Sequence, residues 1–281
     1  MKLCRYGNVG LEKPGLIDSD RRLRDLSKVV DDIGPDEISP RGLKTLAGVK
    51  PESLPLVNGT PRFGVPYAGI GKFVAIGLNY SDHAKEAGLP VPTEPVVFMK
   101  AVTCISGPND EVIQPKHSTK LDWEVELGVV IGTEAQYVDE SEALHHVAGY
   151  CIVNDVSERA FQMATPQWDK GKGFDTAGPI GPWLVTCDEI RDPQALDMSL
   201  DVNGKRMQSG NTRTMVFGVA KIVSHVSHYM RLRPGDIIAT GTPPGVGLGI
   251  KPTPVFLKPG DVMTLAIDGL GEQRQRVVPY G

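Results

Sequence analysis

Apolar and polar positions change their period along the chain, and each change predicts an element. "KFVAIGLNY" (72–80) is a continuous apolar run of the buried-strand type. "SDHAKEAG" follows, with Ser81 as N-cap and Gly88 as stop, and predicts a short helix between them. "VVFMK" (96–100) and "CISG" (104–107) read as strands. "LDWEVELGVVIG" (121–132) begins by alternating: Trp123, Val125 and Leu127 share one face, and Asp122, Glu124 and Glu126 the other. It then turns apolar on both faces, which predicts a central strand. "DESEALHHV" (139–147) reads as helical and "GYCIVNDV" (149–156) as a strand. "GPWLVT" (181–186) and "MSLDVNGKRMQSG" (198–210) continue the sheet, the latter as two strands turning at Asn203-Gly204. Helical spacing of Val216, Val219, Ile222, Val223, Val226 and Met230 predicts a helix in 214–232. "GDIIATGTPPGVG" (235–247) is a strand entering a Gly-Pro turn, and "GDVMTLAIDGLG" (260–271) closes the sheet.

Ahead of this lies a smaller unit. "MKLCRYG", "KPGLID" and "RRLRDLS" are short strand patterns separated by Gly, Pro and Asp turns. Residues 36–48 suit a short helix with Ser39 as N-cap and Pro40 in its first turn. Residues 54–71, rich in Pro and Gly and without period, read as a linker. The organisation is therefore a small β-rich N-terminal domain (1–70) and a larger domain (71–281), in an α+β class with strands dominant.

Composition adds few constraints. Thirty-two Gly and 23 Pro in 281 residues favour many turns between short strands. A net charge of −4 provides no basic field for nucleic acid. No apolar run approaches the ~20 residues of a membrane helix, and "MKLCRYGNVG" lacks a signal-peptide core. Cys4, Cys104, Cys151 and Cys187 are scattered, as in a reducing compartment, so a cytoplasmic protein is expected.

The chemistry concentrates in a few stretches. An acidic strand face commonly meets water, but Glu124 and Glu126 sit on a strand that continues as a buried one, and a second apolar strand delivers Asp155 near its end. Together these carboxylates suit a hard cation such as Mg²⁺, Mn²⁺ or Ca²⁺. His83 and Glu86 share a helix face, so Glu86 can fix the imidazole tautomer and leave the other ring nitrogen as a base. Arg159 and Gln162 follow Asp155 at helical spacing, and the arginine is suited to a substrate carboxylate. "DKGKGFDTAGPIGPW" (169–183) lacks Walker spacing, and its lysines suit an anionic substrate. "GTPPGVGLG" (241–249) is no dinucleotide fingerprint, but it can present backbone N–H groups and Thr242 to a carboxylate. The remaining histidines show no zinc pattern, and His225 and His228 read as helix-face residues.

Six of these stretches, in this order, resemble the fumarylacetoacetate hydrolase family: "GLNYSDHAKE", "PVVFMK", "DWEVELGVVIG", "GYCIVNDVSERAFQ", "KGFDTAGPIGPW" and "GDIIATGTPPGVG". The resemblance implies a mixed β-sandwich roll, a homodimer, and a divalent cation on Glu124, Glu126 and Asp155. It also implies a lid helix whose His83–Glu86 dyad activates water, a catalytic Lys172, and pocket positions at Lys100, Arg159, Gln162 and Thr242. It is closest to bacterial members described as ureidoglycolate lyases or hydrolases of 2,4-diketo-3-deoxy sugar acids. The expected activity is hydrolytic carbon–carbon cleavage of a 2,4-dioxo acid that releases pyruvate. Lyase or oxaloacetate decarboxylase chemistry at the same metal is the competing enzymatic reading, and a metal-stabilised binding protein the non-enzymatic one.

Overall fold

A computed structural model of the chain describes residues 1–82 and 90–281. His83, Glu86 and most of the predicted lid helix lie outside the described residues. Ser81 and Asp82 are already helical, so Ser81 belongs to the first turn and is not its cap.

The strands in chain order are β1 (Lys2–Tyr6), β2 (Lys13–Ile17), β3 (Leu23–Asp25), β4 (Phe73–Gly77), β5 (Val96–Lys100) and β6 (Ile105–Ser106). Next come β7 (Val112–Gln114), β8 (Leu121–Asp122), β9 (Val125–Ile131), β10 (Val147–Asn154), β11 (Ser157–Glu158) and β12 (Gly178–Thr186). The last are β13 (Asp197–Val202), β14 (Lys205–Asn211), β15 (Ile237–Ala239), β16 (Val262–Ile267) and β17 (Gly271–Pro279). One large sheet runs β3-β2-β1-β12-β10-β9-β15-β4-β5, with β6 added to β12. A five-stranded sheet, β14-β13-β16-β17-β7, packs against β9, β10 and β12. The result is the mainly β architecture expected from the turn-rich sequence, in the sandwich-like arrangement that the family resemblance implies.

Every residue of β9 and of β10 is buried, which is why both are nearly continuous apolar runs, with Glu126 and Asn154 as the polar exceptions. The Asn203-Gly204 turn joins β13 to β14 with φ of 51° and 77°, the left-handed pair that a two-residue hairpin requires. Ser39 caps the helix Pro40–Ala47 by accepting from the Gly42 amide at 3.1 Å. The N-terminal strands extend the large sheet, with β1 antiparallel to β12 and Leu3 opposite Leu184. Leu3, Leu16, Leu26 and Ile33 share one apolar core with Leu127 and Val129. Residues 54–71 carry only single bridges at Leu56 and Phe63.

The strand predicted over 121–132 is interrupted at Trp123 and Glu124, which separates β8 from β9, and β7 is an added strand; further elements also differ from the sequence pattern. "DESEALHHV" forms only the 3-10 turn Ala143–His146, because Ala143 is its one buried side chain before β10 begins and no apolar stripe supports a longer helix. The helix expected within 214–232 spans Val219–Tyr229; Val216 precedes it, its amide bonded to the Asn79 carbonyl at 2.7 Å. Finally, β17 adds a strand after "GDVMTLAIDGLG". Its inward positions are Gln273, Gln275 and Val277, and its outward ones Glu272, Arg274 and Arg276, so polar residues occupy both faces.

The inward glutamines belong to a buried amide seam between the sheets. Asn154 Nδ2 donates to Gln275 Oε1 at 3.0 Å, and Gln275 Nε2 donates to Gln273 Oε1 at 3.0 Å and to the Pro108 carbonyl. Gln273 Nε2 reaches the carbonyls of Ile152 (2.8 Å) and Gly181 (3.0 Å). Gln208 accepts from the Val125 amide at 3.0 Å, just where β9 starts. These bonds satisfy backbone groups that the ladder leaves open.

Candidate metal centre and active site

The antiparallel register of β9 and β10 sets Val153 opposite Glu126 and Asn154 opposite Val125. One step further, the Asp155 amide donates to the Glu124 carbonyl at 2.9 Å. Glu124, Glu126 and Asp155 therefore project from the same face, while Asn154 projects from the other into the amide seam. One carboxylate oxygen from each residue lies within 4.8 Å of the other two, and all three residues are buried. The sequence-predicted trio is thus brought together by adjacent strands.

Three cations surround it. Lys172 Nζ bridges Glu124 Oε2 (2.8 Å) and Asp155 Oδ2 (2.6 Å). Arg159 donates from Nη2 to Glu124 Oε1 (2.6 Å), from Nε to Asp122 Oδ2 (2.8 Å) and from Nη1 to Gln162 Oε1 (3.0 Å). Lys100, fully buried, donates to Asp155 Oδ1 at 2.6 Å and to the Lys172 carbonyl. Lys100, expected to contact substrate, stands behind Asp155 and is absent from the cavity wall. The reason is its place at the end of β5, where pairing with Phe73 of the neighbouring β4 carries it inward.

Local structure explains each placement. Arg159 and Gln162 lie on the helical turn Arg159–Gln162, whose start is capped by Glu158 accepting from the Phe161 amide at 2.9 Å. The neighbouring turn Asp169–Lys172 carries Lys172 and packs so closely that a Cβ at Gly171 would fall 2.4 Å from the Gln162 nitrogen. Only glycine permits that approach. At Gly241, φ is 96°, and its amide donates to Glu126 Oε2 at 2.7 Å. Asp122 accepts from the amides of Trp123 (2.9 Å), Gly247 (2.6 Å) and Leu248 (3.0 Å) as well as from Arg159. The "GTPPGVG" loop therefore does offer its N–H groups to carboxylates, but to those of Glu126 and Asp122. Thr242 lines the cavity, donating to the Val125 carbonyl at 2.9 Å and accepting from Gln208 at 2.8 Å.

Electrostatics follow from this packing. Among the described residues, four buried carboxylates (Asp122, Glu124, Glu126, Asp155) face three buried cations (Lys100, Arg159, Lys172), so the cluster is balanced while Glu126 keeps its proton and carries one negative charge in excess when Glu126 ionises. Burial, then repulsion from Asp155 and Glu124, pushes the Glu126 carboxyl well above its usual range, against the opposing pull of Lys172. Burial alone would lower the Lys172 ammonium, but Asp155 and Glu124 outweigh it and hold the group cationic. Arg159 is likewise stabilised as a cation by Asp122 and Glu124 in spite of its burial. Three converging hard oxygen donors, with surplus negative charge once Glu126 gives up its proton, fit a divalent cation such as Mg²⁺ or Mn²⁺.

The cavity above the trio has two unlike walls. Glu124, Glu126, Asp155, Arg159, Gln162 and Lys172 form one side, closed by Gly241 and Thr242. Ile76, Gly77, Leu78, Phe98 and Trp168 form the other. Sequence reasoning missed Phe98 and Trp168, which come from separate segments and have no spacing in common. It also left Asp122 without a partner, although the D-x-E-x-E alternation had placed it on the correct face.

Comparison with known proteins agrees with this geometry. The family model described as fumarylacetoacetate hydrolase C-terminal matches residues 72–278. A Burkholderia ambifaria protein, provisionally described as a hydrolase, is 62% identical over 98% of both chains. A solved structure from Mycobacterium abscessus, assigned as a 2-hydroxyhepta-2,4-diene-1,7-dioate isomerase, is 36% identical with a TM-score of 0.83, covering 100% of both chains. Maleylpyruvate hydrolase from Sphingobium sp. SYK-6, solved with manganese(II) and pyruvate, is 28% identical with a TM-score of 0.84, again over 100% of both chains. With nearly three quarters of its length matched in sequence and its whole length matched in fold, this chain belongs to the fumarylacetoacetate hydrolase family.

Proposed function

We propose that this chain is a divalent-metal-dependent hydrolase that cleaves a carbon–carbon bond in a 2,4-dioxo acid of the acylpyruvate type, such as a 2,4-diketo-3-deoxy sugar acid, and releases pyruvate. In this reading it acts on a small-molecule substrate as a cytoplasmic homodimer. The observation that carries the proposal is the buried carboxylate trio sharing one cavity with the Arg159 guanidinium and the Lys172 ammonium.

Held by Glu124, Glu126 and Asp155, Mg²⁺ or Mn²⁺ (with Ca²⁺ as a third candidate) would supply Lewis acidity at the 2-oxo acid end of the substrate. Arg159, fixed by Asp122 and Gln162, orients the substrate carboxylate. His83, kept in one tautomer by Glu86, takes a proton from the attacking water. Hydroxyl adds to the C4 acyl carbon while the Lys172 ammonium meets the charge that develops on the C4 oxygen. The C3–C4 bond then breaks and C3 takes up a proton, so the products are a carboxylic acid and pyruvate. Thr242 and the Gly241 amide keep the Glu126 side of the cavity in place.

A second reading, proton-shuttling isomerisation, is favoured by one observation: the Mycobacterium abscessus isomerase is more similar in sequence than the maleylpyruvate hydrolase. The purified protein, stripped with chelator and reloaded with Mg²⁺ or Mn²⁺, decides between them on 2,4-dioxo acids, oxaloacetate, ureidoglycolate and a 2-hydroxydienedioate. Metal-dependent release of pyruvate from a dioxo acid is expected. Full activity without metal, or turnover confined to the other substrates, would overturn the hydrolase reading.

A further inference from the structure

The uneven cavity has a consequence for the far end of the substrate. Each of its cations is already engaged: Arg159 by Asp122 and Glu124, and Lys172, whose ammonium also lies 5.4 Å from the Phe98 ring centroid, by Glu124 and Asp155. The side chains of Ile76, Leu78, Phe98 and Trp168 make the rest of the wall apolar, and it is built in advance. Phe98 and Trp168 meet edge to face, with centroids 5.2 Å apart and planes at 67°. The Trp168 ring lies against the backbone of Gly77 so tightly that a Cβ there would come within 2.4 Å of it. Ile76 and Leu78 continue the wall on either side of that contact. Among the described residues that line the cavity, Lys172 is the cation that approaches this half, and its ammonium is committed to Glu124 and Asp155.

Resting on the acylpyruvate reading above, we infer that Phe98 and Trp168 are specificity-determining residues that select a substrate whose acyl end is uncharged. The 2-oxo acid end is directed to the carboxylate trio and Arg159, which leaves the acyl substituent against the aromatic pair. A methyl or alkyl group there gains apolar contact. A second carboxylate would lose its hydration with no uncommitted cationic donor among the described residues of the cavity to replace it.

A matched pair of acids tests this: 2,4-dioxoheptanoate and 2,4-dioxoheptanedioate, identical but for a terminal methyl against a terminal carboxylate. With Mn²⁺-loaded protein, kcat/KM for the monoacid should exceed that for the diacid by about 100-fold, the penalty of a charged group left without partners. Trp168→Arg, which places a cation on the apolar wall, should narrow the ratio by about tenfold or more, and Trp168→Phe should keep it. Equal turnover of the two acids, or preference for the diacid, would overturn the inference while leaving the hydrolase reading intact. If neither acid is cleaved the hydrolase reading falls, and calorimetric binding of the same pair then decides the selectivity. Tighter binding of the monoacid supports the uncharged end, and equal or tighter binding of the diacid refutes it.

Discussion

Replacing Lys172 with methionine separates its structural and chemical roles. The ammonium is the shared partner of Glu124 and Asp155, at 2.8 and 2.6 Å, and it partly offsets the repulsion felt by Glu126. Removing one member of a buried, hydrogen-bonded pair costs about 3–5 kcal/mol. At about 2 °C per kcal/mol for a chain of this size, Tm of the metal-free Lys172→Met protein should fall by roughly 6–10 °C. A divalent cation offers the carboxylates a different counter-charge and no longer competes with the ammonium. Saturating Mn²⁺ should therefore raise Tm of the variant by more than it raises Tm of the wild type, and Mn²⁺ should bind the variant more tightly. Turnover should nevertheless drop about 10²–10³-fold, the usual loss when one donor to a developing oxyanion is removed. Differential scanning calorimetry and titration calorimetry, each with and without metal, read these effects apart. An equal Tm loss in both states, or weaker metal binding by the variant, would refute the idea that the lysine holds the metal-free site together.

Other consequences can be checked in the same preparations. Asp122→Asn keeps the loop amides near their partner but removes the charge that aims Arg159; KM for a dioxo acid should rise about tenfold or more with a smaller change in kcat, and an unchanged KM would argue against that positioning role. The Glu126 carboxyl in the metal-free protein is raised above its unfolded value, so its contribution to stability is present at low pH and is lost as pH rises through the raised range. Mn²⁺ binds the ionised form, and the Tm gain it confers should grow from acid to neutral pH; a gain flat with pH would show that protons do not compete at Glu126. His83→Ala should lower dioxo acid hydrolysis about 10²–10⁴-fold. Oxaloacetate decarboxylation, which needs no attacking water, should fall less, and parallel losses in side-by-side assays would remove water activation from the histidine's role.

The carboxylate trio was legible because a period-2 acidic face interrupted a run too apolar to be an edge strand, and Asp155 ended a second such run. Adjacency of the two strands was not legible, since pairing is a tertiary choice that neither sequence contains. Lys100 illustrates a deeper limit. A lysine at the end of a strand reads as exposed, and only the pairing of β5 with β4 and the charge of Asp155 make burial tolerable. Asp122 was placed on the correct face but not matched to Arg159, 37 residues further along the chain. The aromatic wall was invisible because Phe98, on β5, and Trp168, at the start of the turn Asp169–Lys172, lie far apart in the chain and meet only in the tertiary structure. β17 escaped notice because its inward glutamines answer to carbonyl groups and not to oil, so the expected alternation of apolar and polar residues never appears.

That same seam of amides bears on how the chain avoids misfolding. A slip of β17 by one residue would turn Glu272, Arg274 and Arg276 inward, and the loss of hydration alone would reject it. A slip by two residues is the more dangerous error, because it preserves the inward and outward sides and an oily interface would barely register it. Here it would put Val277 in the place of Gln275, or Gly271 in the place of Gln273, and strand the carbonyl acceptors that the lost amide had satisfied. The seam therefore works as a proofreading device for the closing strand: it rejects an alignment that hydrophobic patterning would accept, and so helps to hold the sandwich to a single native pairing.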